Sequence, residues 1–405
     1  MIRKVLGAVR SAREYSMLPP QAREAIRADR SGLPLHDPGN VVAVAEALAW
    51  LCRAQDRSSS VDGGVARHFS LVSGWSSSYP ETTGYIIPTF FECAEALGRA
   101  DLRDRARRML DWLVSIQLPD GSFQGGMIDQ QPVVGVVFNT GQILMGLSRG
   151  AREWGGLYAT AMRRAADWLV GVQDADGAWR LGQSPFALAG SKTYDMHVAW
   201  GLLEAARVEP RESWSRAALA NIAWGISRQR ANGWIEACCL SDPLRPLTHT
   251  LGYALRGMLE GFRFSADRAL LDAALRTAEG LRGALTPEGF LPGRLDERWH
   301  AAARWSCLTG AVQIAYCWLA LFVETGDVRL RDAAYAANAW VRRTQAVVGD
   351  PDLRGGIKGS FPVNGEYCRL ELPDWAAKFY IDALRLEDEV RAGTAAPAHP
   401  ITRQS

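Results

Sequence analysis

The sequence predicts an all-α protein, an (α/α)6 toroid in which six helical hairpins form one twelve-helix barrel. Two observations predict it: a six-fold internal repeat, and an alternation of charged and apolar helices. Each repeat unit has a tryptophan or leucine anchor, in most units a glutamine five residues later, and then a turn with glycine. The anchors are spaced 62, 56, 56, 57 and 59 residues apart, and such a period indicates a repeat architecture. They are Trp50, Trp112, Trp168, Trp224, Leu281 and Trp340.

Each unit contains two predicted helices of different character. The first carries its anchor at apolar spacing and charged residues on the opposite side, as in residues 107–114. We expect it to stop at an Asp-Gly or Asn-Gly turn such as Asp120-Gly121, where glycine supplies a left-handed conformation. The second helix has few charges, so the alternation predicts two concentric layers. The second helices are expected to begin near Gly84, Thr140, Tyr194, Thr250, Thr309 and Trp375.

The repeat covers most of the chain and predicts a single domain at residues 40–390. Residues 1–39 are expected to form an N-terminal helix and lead-in, and residues 391–405 a disordered tail. Apolar residues share one face of the segment 1–16, which is compatible with contact to a membrane surface. Packing of that face on the domain or on a partner subunit is the preferred interpretation.

Composition excludes several classes of function. The 46 Lys and Arg residues nearly balance the 44 Asp and Glu residues, so the net charge of +2 gives no reason to expect nucleic-acid binding. Seven cysteines without a Cys-x-x-Cys pair predict reduced, mostly buried thiols. No apolar run reaches 18 residues, so no transmembrane segment is predicted. We expect a cytoplasmic protein, and the oligomeric state is not predicted.

The N-terminal ends of the six apolar helices are expected to meet at one mouth of the barrel. Their residues are polar and aromatic, and the helix dipoles favour an anionic ligand there. For Asn139 and Thr309 a capping role is as plausible as a functional one, whereas capping does not explain Tyr85, His249 or Tyr253. The predicted mouth residues are Glu81, Tyr85, Asn139, Gln142, Tyr194, Asp195, His197, His249, Tyr253, Arg256, Thr309, Gln313, Trp375 and Lys378.

The turns at residues 117–123 and 173–179 resemble the repeat of squalene cyclases and protein prenyltransferases, a structural likeness that says little about activity. Strings along nearly the whole chain resemble VpsJ-type proteins of bacterial exopolysaccharide operons. The barrel is also similar to those of glucuronyl C5-epimerases, N-acylglucosamine 2-epimerases and unsaturated glucuronyl hydrolases. These resemblances imply a sugar-handling protein of polysaccharide biosynthesis. The VpsJ-like strings span residues 81–88, 137–142, 247–253, 306–310, 354–360 and 374–379.

The strongest candidate for chemistry is the string that contains His249, Tyr253 and Arg256. Their spacing of i, i+4 and i+7 places them on one face of a helix start. Histidine and tyrosine can move protons, and arginine can hold a carboxylate through two hydrogen bonds. An epimerase requires such a set. The alternative is a buried His and Tyr that bond to neighbouring loops.

Further candidates surround this set. Glu81 or Tyr85 would serve the opposite face of a substrate, and Asp195 with Glu81 would supply the two carboxylates that hydrolysis requires. Arg304 and Lys378 are candidate carboxylate binders, and Trp305 is one of several loop aromatics that can stack on a sugar ring. A zinc site from Cys238 or Cys239, His249 and Asp296 does not fit the prenyltransferase spacing, so neither metal nor cofactor is predicted.

The sequence therefore predicts a carbohydrate-active enzyme, a cofactor-independent epimerase of a uronic acid or related sugar. His249, Tyr253, Glu81, Tyr85 and Asp195 are the predicted catalytic residues. Three alternatives stay open: a glycoside hydrolase or polysaccharide lyase, a glycan-binding scaffold without catalysis, and an isoprenoid enzyme like terpene cyclases and prenyltransferases. The predicted substrate-binding residues are Arg256, Arg304, His197, Tyr194, Asn139, Gln142, Gln313, Trp305, Trp375 and Lys378.

Overall fold

The structure is a computed structural model that describes residues 14–397. Helices account for most of the chain, and short strands lie in the loops between them. The last helix continues to Ala392. The helices are α1 (Pro20–Arg30), α2 (Gly39–Asp56), α3 (Pro80–Leu97), α4 (Ala100–Ile116), α5 (Val137–Trp154), α6 (Gly156–Gly171), α7 (Met196–Val208), α8 (Glu212–Ile226), α9 (Thr248–Ser265), α10 (Arg268–Ala284), α11 (Leu308–Thr325), α12 (Val328–Arg342) and α13 (Asp374–Ala392).

Two concentric layers of helices form the closed barrel, which confirms the (α/α)6 toroid. The inner ring contains α3, α5, α7, α9, α11 and α13, and each inner helix packs against the next, with α13 returning to α3. The outer ring contains α2, α4, α6, α8, α10 and α12. Helix α13 also packs against α2, so the last inner helix closes the ring on the first outer helix.

The connections between helices differ in length at the two ends of the barrel. Each inner helix from α3 to α11 leads into the next outer helix through a short turn, such as residues 98–99 between α3 and α4. Each outer helix from α2 to α12 leads into the next inner helix through a long loop, such as residues 343–373. The long loops therefore gather over the N-terminal ends of the inner helices and form one mouth.

The repeated glutamine and glycine join neighbouring units. The Gln117 side chain donates hydrogen bonds to the carbonyl oxygens of Gly121, at 2.9 Å, and of Ala161 in the next outer helix, at 3.0 Å. Gln173 makes the same pair of bonds one unit later, and Gln345 makes it across the closure of the ring, to Gly355 and Ala43. The repeat is therefore a structural staple between units.

The glycine of each turn does not terminate the first helix, contrary to the prediction. Helix α4 ends at Ile116, and Gly121 lies five residues farther on with a φ of +98°. A Cβ atom on Gly121 would lie 2.6 Å from the carbonyl oxygen of Arg164 in the next outer helix. Glycine is required here by a positive φ and by the close approach of two backbones.

Two small antiparallel sheets tie the mouth loops together. Strand β1 (His68–Ser70) lies between β2 (Gly74–Trp75) and β5 (Glu371–Pro373), and Ser70 pairs with Glu371. Strands β3 (Ser306–Cys307) and β4 (Ser360–Phe361) form the second sheet. The first sheet joins chain segments about three hundred residues apart.

In the part of the lead-in that the structure describes, helix α1 packs on the barrel. Helix α1 buries Ala22 and Ile26, and its Asp29 carboxylate accepts hydrogen bonds from the Lys358 side chain and from the Val363 backbone. The apolar face expected at residues 1–16 lies almost wholly outside the described residues, as does the tail from residue 398.

The cysteines and the most apolar helix both belong to the packed barrel. All seven cysteines carry free thiols, five of them buried, as the sequence predicts. Among the described helices one, α11, is long and apolar enough to cross a membrane, and 78% of it is buried inside the protein. Since α11 is an inner helix of the ring, its place in the core accounts for its composition.

Candidate active site

A cavity of about 490 Å³ opens at the mouth of the barrel, where the sequence predicts the site. Its floor comes from the N-terminal ends of inner helices and its walls from the long loops. Of the predicted mouth residues, Glu81, Asn139, Tyr194, His249, Tyr253 and Trp375 line it. The loops contribute other lining residues that the sequence did not indicate, among them Arg67, His68, Phe186, Leu240 and Glu371, and helix α5 contributes Phe138.

His249 lies in the first turn of α9 and is held by a neighbour on the next inner helix. Its Nδ1 atom is 2.5 Å from Oε1 of Gln313 in α11. An amide oxygen can only accept, so Nδ1 donates the proton and Nε2 holds the lone pair. Burial lowers the pKa of His249 to about 4, which keeps the imidazole neutral at pH 7. His249 is thus neutral and held in one orientation, as a base requires.

Glu81 lies in the first turn of α3 and has the complementary character. The Tyr79 hydroxyl donates a 2.6 Å hydrogen bond to Oε2 of Glu81. Burial raises the pKa of Glu81 to about 7, although the Tyr79 hydrogen bond and the charge of Arg67 act in the opposite direction. A carboxyl group that titrates near neutral pH can give or take a proton under ordinary conditions.

Arg67 is the one Lys or Arg residue among those described as lining the cavity. Its Nη1 atom donates to Oε2 of Glu371 at 3.1 Å and to Nδ1 of His68 at 2.8 Å. The guanidinium also lies 5.0 Å from the ring centroid of Trp375. Burial lowers the pKa of His68 to about 4, so this histidine is neutral and accepts the bond from Arg67. The cation is therefore fixed by a carboxylate, an imidazole and an aromatic face.

Aromatic side chains form much of the remaining wall. The ring centroid of Tyr253 lies 4.4 Å from that of His249 and 5.1 Å from that of Phe138. Across the mouth, Trp375 Nε1 donates to the Tyr367 hydroxyl at 2.9 Å, which fixes both rings. Flat aromatic faces beside a few polar groups are typical of sites for small ligands, including sugars.

An aromatic layer closes the bottom of this cavity. It consists of Tyr85, His197, Tyr253 and Phe379, whose ring centroids lie 4.4 to 6.4 Å apart where they touch. Tyr253 faces the mouth cavity, whereas Tyr85 lines a second chamber on the other side. We call this layer the septum. It divides the lumen of the barrel into two compartments.

Several predicted site residues belong to the septum or lie behind the wall. His197 is buried, with Nδ1 2.6 Å from Oε1 of Gln142, so neither side chain lines the mouth cavity. Gln313 does not line the cavity either, and its side-chain oxygen accepts the hydrogen bond from His249. Asp195 is buried beside the cavity, where burial raises its pKa to about 7, but it does not line the cavity. The prediction of Asp195 as a partner of Glu81 is thereby corrected.

The second chamber, about 290 Å³ in volume, opens at the opposite end of the barrel and is lined mainly by charged residues. Arg256 lies there, between the rings of Trp200 and Tyr316, with Nε 2.8 Å from Oε1 of Glu260. Lys378 also lies there, 2.6 Å from Asp382. Neither cation reaches the mouth, because each is more than one helical turn past the first residues of its helix. Tyr85, Arg256 and Lys378 are therefore removed from the predicted mouth site.

Two loop residues predicted to bind substrate do not line the cavity. Arg304 is exposed, and Trp305 packs against Gly293 and Gly365 instead of lining the cavity. Cys238 donates from Sγ to the carbonyl oxygen of Thr250, as a packed thiol does. Within residues 14–397 no group of three or more His, Cys, Asp and Glu side chains is arranged to hold a metal ion.

Comparisons with known proteins agree with the fold. The sequence model of the squalene-hopene cyclase C-terminal domain matches residues 80–255, and no curated protein matches the sequence. An unsaturated glucuronyl hydrolase from Bacillus sp. GL1 is similar in structure, with a TM-score of 0.69 at 15% identity over 90% of this chain and 100% of that chain.

Two further solved structures resemble the barrel. Cellobiose 2-epimerase from Bacillus thermoamylovorans B4167 superimposes with a TM-score of 0.66 at 11% identity, over 84% of this chain and 96% of that one. D-Mannose isomerase gives a TM-score of 0.66 at 12% identity, over 89% and 100% of the two chains. At these identities the similarity establishes the shared toroid and leaves function to the residues of the site.

Proposed function

We propose that the protein is a carbohydrate-active enzyme, a cofactor-independent epimerase that moves a proton at a carbon of a saccharide. One observation carries the proposal: Glu81 and His249, both able to transfer protons, line the same aromatic cavity in complementary protonation states. Barrels of this shape host sugar epimerases, isomerases and hydrolases, which is consistent with the proposal. A place in cytoplasmic polysaccharide biosynthesis is part of the same proposal.

The chemistry follows from these residues for a uronic acid or related sugar. Nε2 of His249 takes the proton from the carbon next to the carboxylate, and the electron pair of that C–H bond moves into the carboxyl group as an enediolate. Arg67 stabilises the added negative charge. Protonated Glu81 then donates its proton to the opposite face of the carbon, which inverts the centre. The two groups exchange protons with solvent before the next turnover.

Hydrolysis fits the cavity less well. It requires two carboxyl groups at a defined separation, and Asp195, the expected second carboxyl group, does not line the cavity. Glu371 does, but Arg67 holds it in an ion pair at 3.1 Å. A hydrolase or lyase therefore stays an alternative that the product analysis below identifies.

Proton–deuterium exchange tests the proposal. Uronic-acid oligosaccharides and neutral oligosaccharides are incubated with the protein in D₂O and followed by NMR. Epimerisation predicts deuterium at one ring carbon with no cleavage, and loss of exchange in His249→Ala and Glu81→Gln. The control is Glu288→Gln, an exposed carboxylate outside the cavity. Cleaved or unsaturated products would identify a hydrolase or lyase, and binding without exchange would identify a glycan-binding scaffold.

A second candidate is an isoprenoid enzyme, favoured by the aromatic wall and by the match of residues 80–255 to the squalene-hopene cyclase domain. Aromatic faces stabilise carbocations in the same way as they hold other cations. Squalene and linear isoprenoid diphosphates, incubated with the protein and analysed by gas chromatography–mass spectrometry, test it. Cyclised or prenylated products without any exchange on saccharides would replace the epimerase proposal.

A further inference from the structure

Three consecutive mouth loops contain stretches without charged residues, and most positions of the first two stretches are exposed. The stretches are residues 130–136, 181–191 and 237–241. Loops in contact with water are normally polar, so eleven successive uncharged positions in residues 181–191 require an explanation. The loop of residues 57–79 also has eleven uncharged positions, 69–79, but five of them are serines, and its Phe69 and Leu71 are buried.

Large apolar side chains on these loops are exposed together. At the opposite end of the barrel, by contrast, exposed apolar residues are isolated from one another, as at Leu97, Leu157 and Val328. A cluster of exposed apolar groups marks a binding surface more often than scattered ones do. We define the apolar rim as Val133, Val134, Leu181, Phe186, Leu188 and Leu244.

The apolar rim is continuous with the cavity. Phe186 belongs to both, because its side chain is exposed and also lines the cavity beside Gly126. The backbone N–H of Leu188 donates to the carbonyl oxygen of Leu240 at 3.2 Å, and Leu240 lines the cavity too. A ligand that leaves the mouth on this side therefore passes directly onto apolar surface.

The charges beside the rim do not favour an anionic membrane as its occupant. Arg180 forms ion pairs with Asp174 at 2.9 Å and with Asp176 at 2.6 Å. Arg245 pairs with Asp242 at 2.8 Å. Binding to anionic lipids depends on basic side chains whose charge is available, and these are already neutralised by carboxylates.

We propose that the substrate is amphipathic: a saccharide that carries a long apolar tail, with the sugar in the cavity and the tail along the apolar rim. This inference rests on the proposed function, whose substrate class it specifies. A cavity of about 490 Å³ accommodates a small saccharide head, and the tail has to lie outside it. The apolar rim supplies a surface that the sugar itself does not need.

Chain-length dependence of binding tests the inference. Butyl, hexyl and octyl β-D-glucopyranosides and the matching β-D-glucuronides are titrated below their micellar concentrations by calorimetry. Full burial of one methylene contributes about fourfold in affinity, and burial on a one-sided rim about twofold. Octyl has four more methylenes than butyl, so it should bind about 16-fold more tightly. Equal affinity across the series would refute the proposal.

A double variant tests whether the chain-length dependence of affinity arises at the apolar rim. Leu181 and Leu244 do not line the cavity and are 64% and 80% exposed, so Leu181→Asn with Leu244→Asn should fold normally. We expect the octyl-to-butyl ratio to fall to about threefold in this double variant. Leu157→Asn, at a site 73% exposed on the far end, is the matched control and should keep the ratio.

Other occupants give different results. If light scattering shows a dimer that the double variant separates, the rim is an interface between copies and the proposal fails. Retention on phosphatidylcholine vesicles, lost in the double variant without any chain-length effect, would also refute it. The exchange experiment on free saccharides is independent: chain-length dependence without proton exchange would overturn only the proposed function, and exchange without chain-length dependence only this inference.

Discussion

Glu81 and His249 acquire opposite roles from the same physical cause. Burial disfavours the charged form of any group, which raises the pKa of a carboxyl and lowers that of an imidazole. Between pH 4 and pH 7 this leaves His249 neutral and able to accept a proton, while Glu81 is protonated and able to donate one. Their neighbours Gln313 and Tyr79 fix the direction in which each proton lies.

The rate of exchange should therefore follow a bell-shaped pH profile. His249 acts as a base only above its pKa of about 4, so kcat/KM rises as pH increases through this value. Glu81 acts as an acid only below its pKa of about 7, so kcat/KM falls as pH increases further. Deuterium incorporation measured from pH 3.5 to pH 9 checks this profile.

The variant Glu81→Gln assigns the alkaline limb. It should lower kcat/KM by about 10² to 10⁴-fold and abolish the decrease near pH 7, because an amide neither donates a proton nor titrates. The Tyr79 hydroxyl can still donate to the amide oxygen, so the thermal midpoint should change little. Glu288→Gln should reproduce the native profile, and persistence of the alkaline limb in Glu81→Gln would assign that limb to another group.

The glutamine staple determines how one helical unit packs against the next. Gln117 donates to two carbonyl oxygens, one in its own turn and one in the next outer helix. Ala161 lies inside helix α6, so the bond from Gln117 is an additional one that ties the turn to that helix. The staple thereby fixes the offset between neighbouring units. This offset in turn determines where the inner helices begin at the mouth.

Removal of a staple should destabilise the barrel. We expect Gln117→Ala to lower the free energy of unfolding by about 2 kcal/mol, because two hydrogen bonds to partly buried carbonyl oxygens are lost. Gln131→Ala, at an exposed position of the following loop, is the control and should change it by less than about 0.5 kcal/mol. Urea unfolding followed by circular dichroism measures both. Equal effects would show that the side-chain bonds contribute nothing.

The fold could be predicted from the repeat because each unit contains the same glutamine staple and the same pair of helices, one outer and one inner. The spacing of the anchors indicates the number of units, and the near absence of charge along α11, whose one charged residue is Glu324, indicates a place inside the ring. The ends of the helices were less accurate. The glycine at 121 was expected to end α4, whereas its φ of +98° serves a turn that packs on the next helix.

The septum determines which of the predicted residues share a site. A helical face continues along the axis, so His249, Tyr253 and Arg256 do lie on one face, but seven residues advance about 10 Å. Tyr253 ends the mouth cavity, and Arg256 lies beyond the septum with Glu260. Spacing in the sequence cannot reveal where a lumen is closed.

Most of the lining residues that the sequence did not indicate lie in loops. Arg67 and His68 reach the cavity because β1 pairs with β5, which brings them beside Glu371. This pairing joins positions about three hundred residues apart through strands of three residues, too short to produce a recognisable pattern. The fold could be predicted from periodicity, whereas the cation of the site depends on one long-range contact.

The two ends of the lumen should respond differently to loss of a cation. Arg67→Met removes the guanidinium from the mouth cavity and should raise KM for a uronic-acid substrate about 10- to 100-fold, the effect of one lost charge-assisted hydrogen bond. Arg256→Met alters only the second chamber and should leave KM within about twofold. It should still lower the thermal midpoint, because Glu260 loses a 2.8 Å partner and keeps Arg263 at 3.3 Å. Steady-state kinetics and thermal unfolding of both variants check the pair. A large KM change in Arg256→Met with none in Arg67→Met would place the substrate on the other side of the septum.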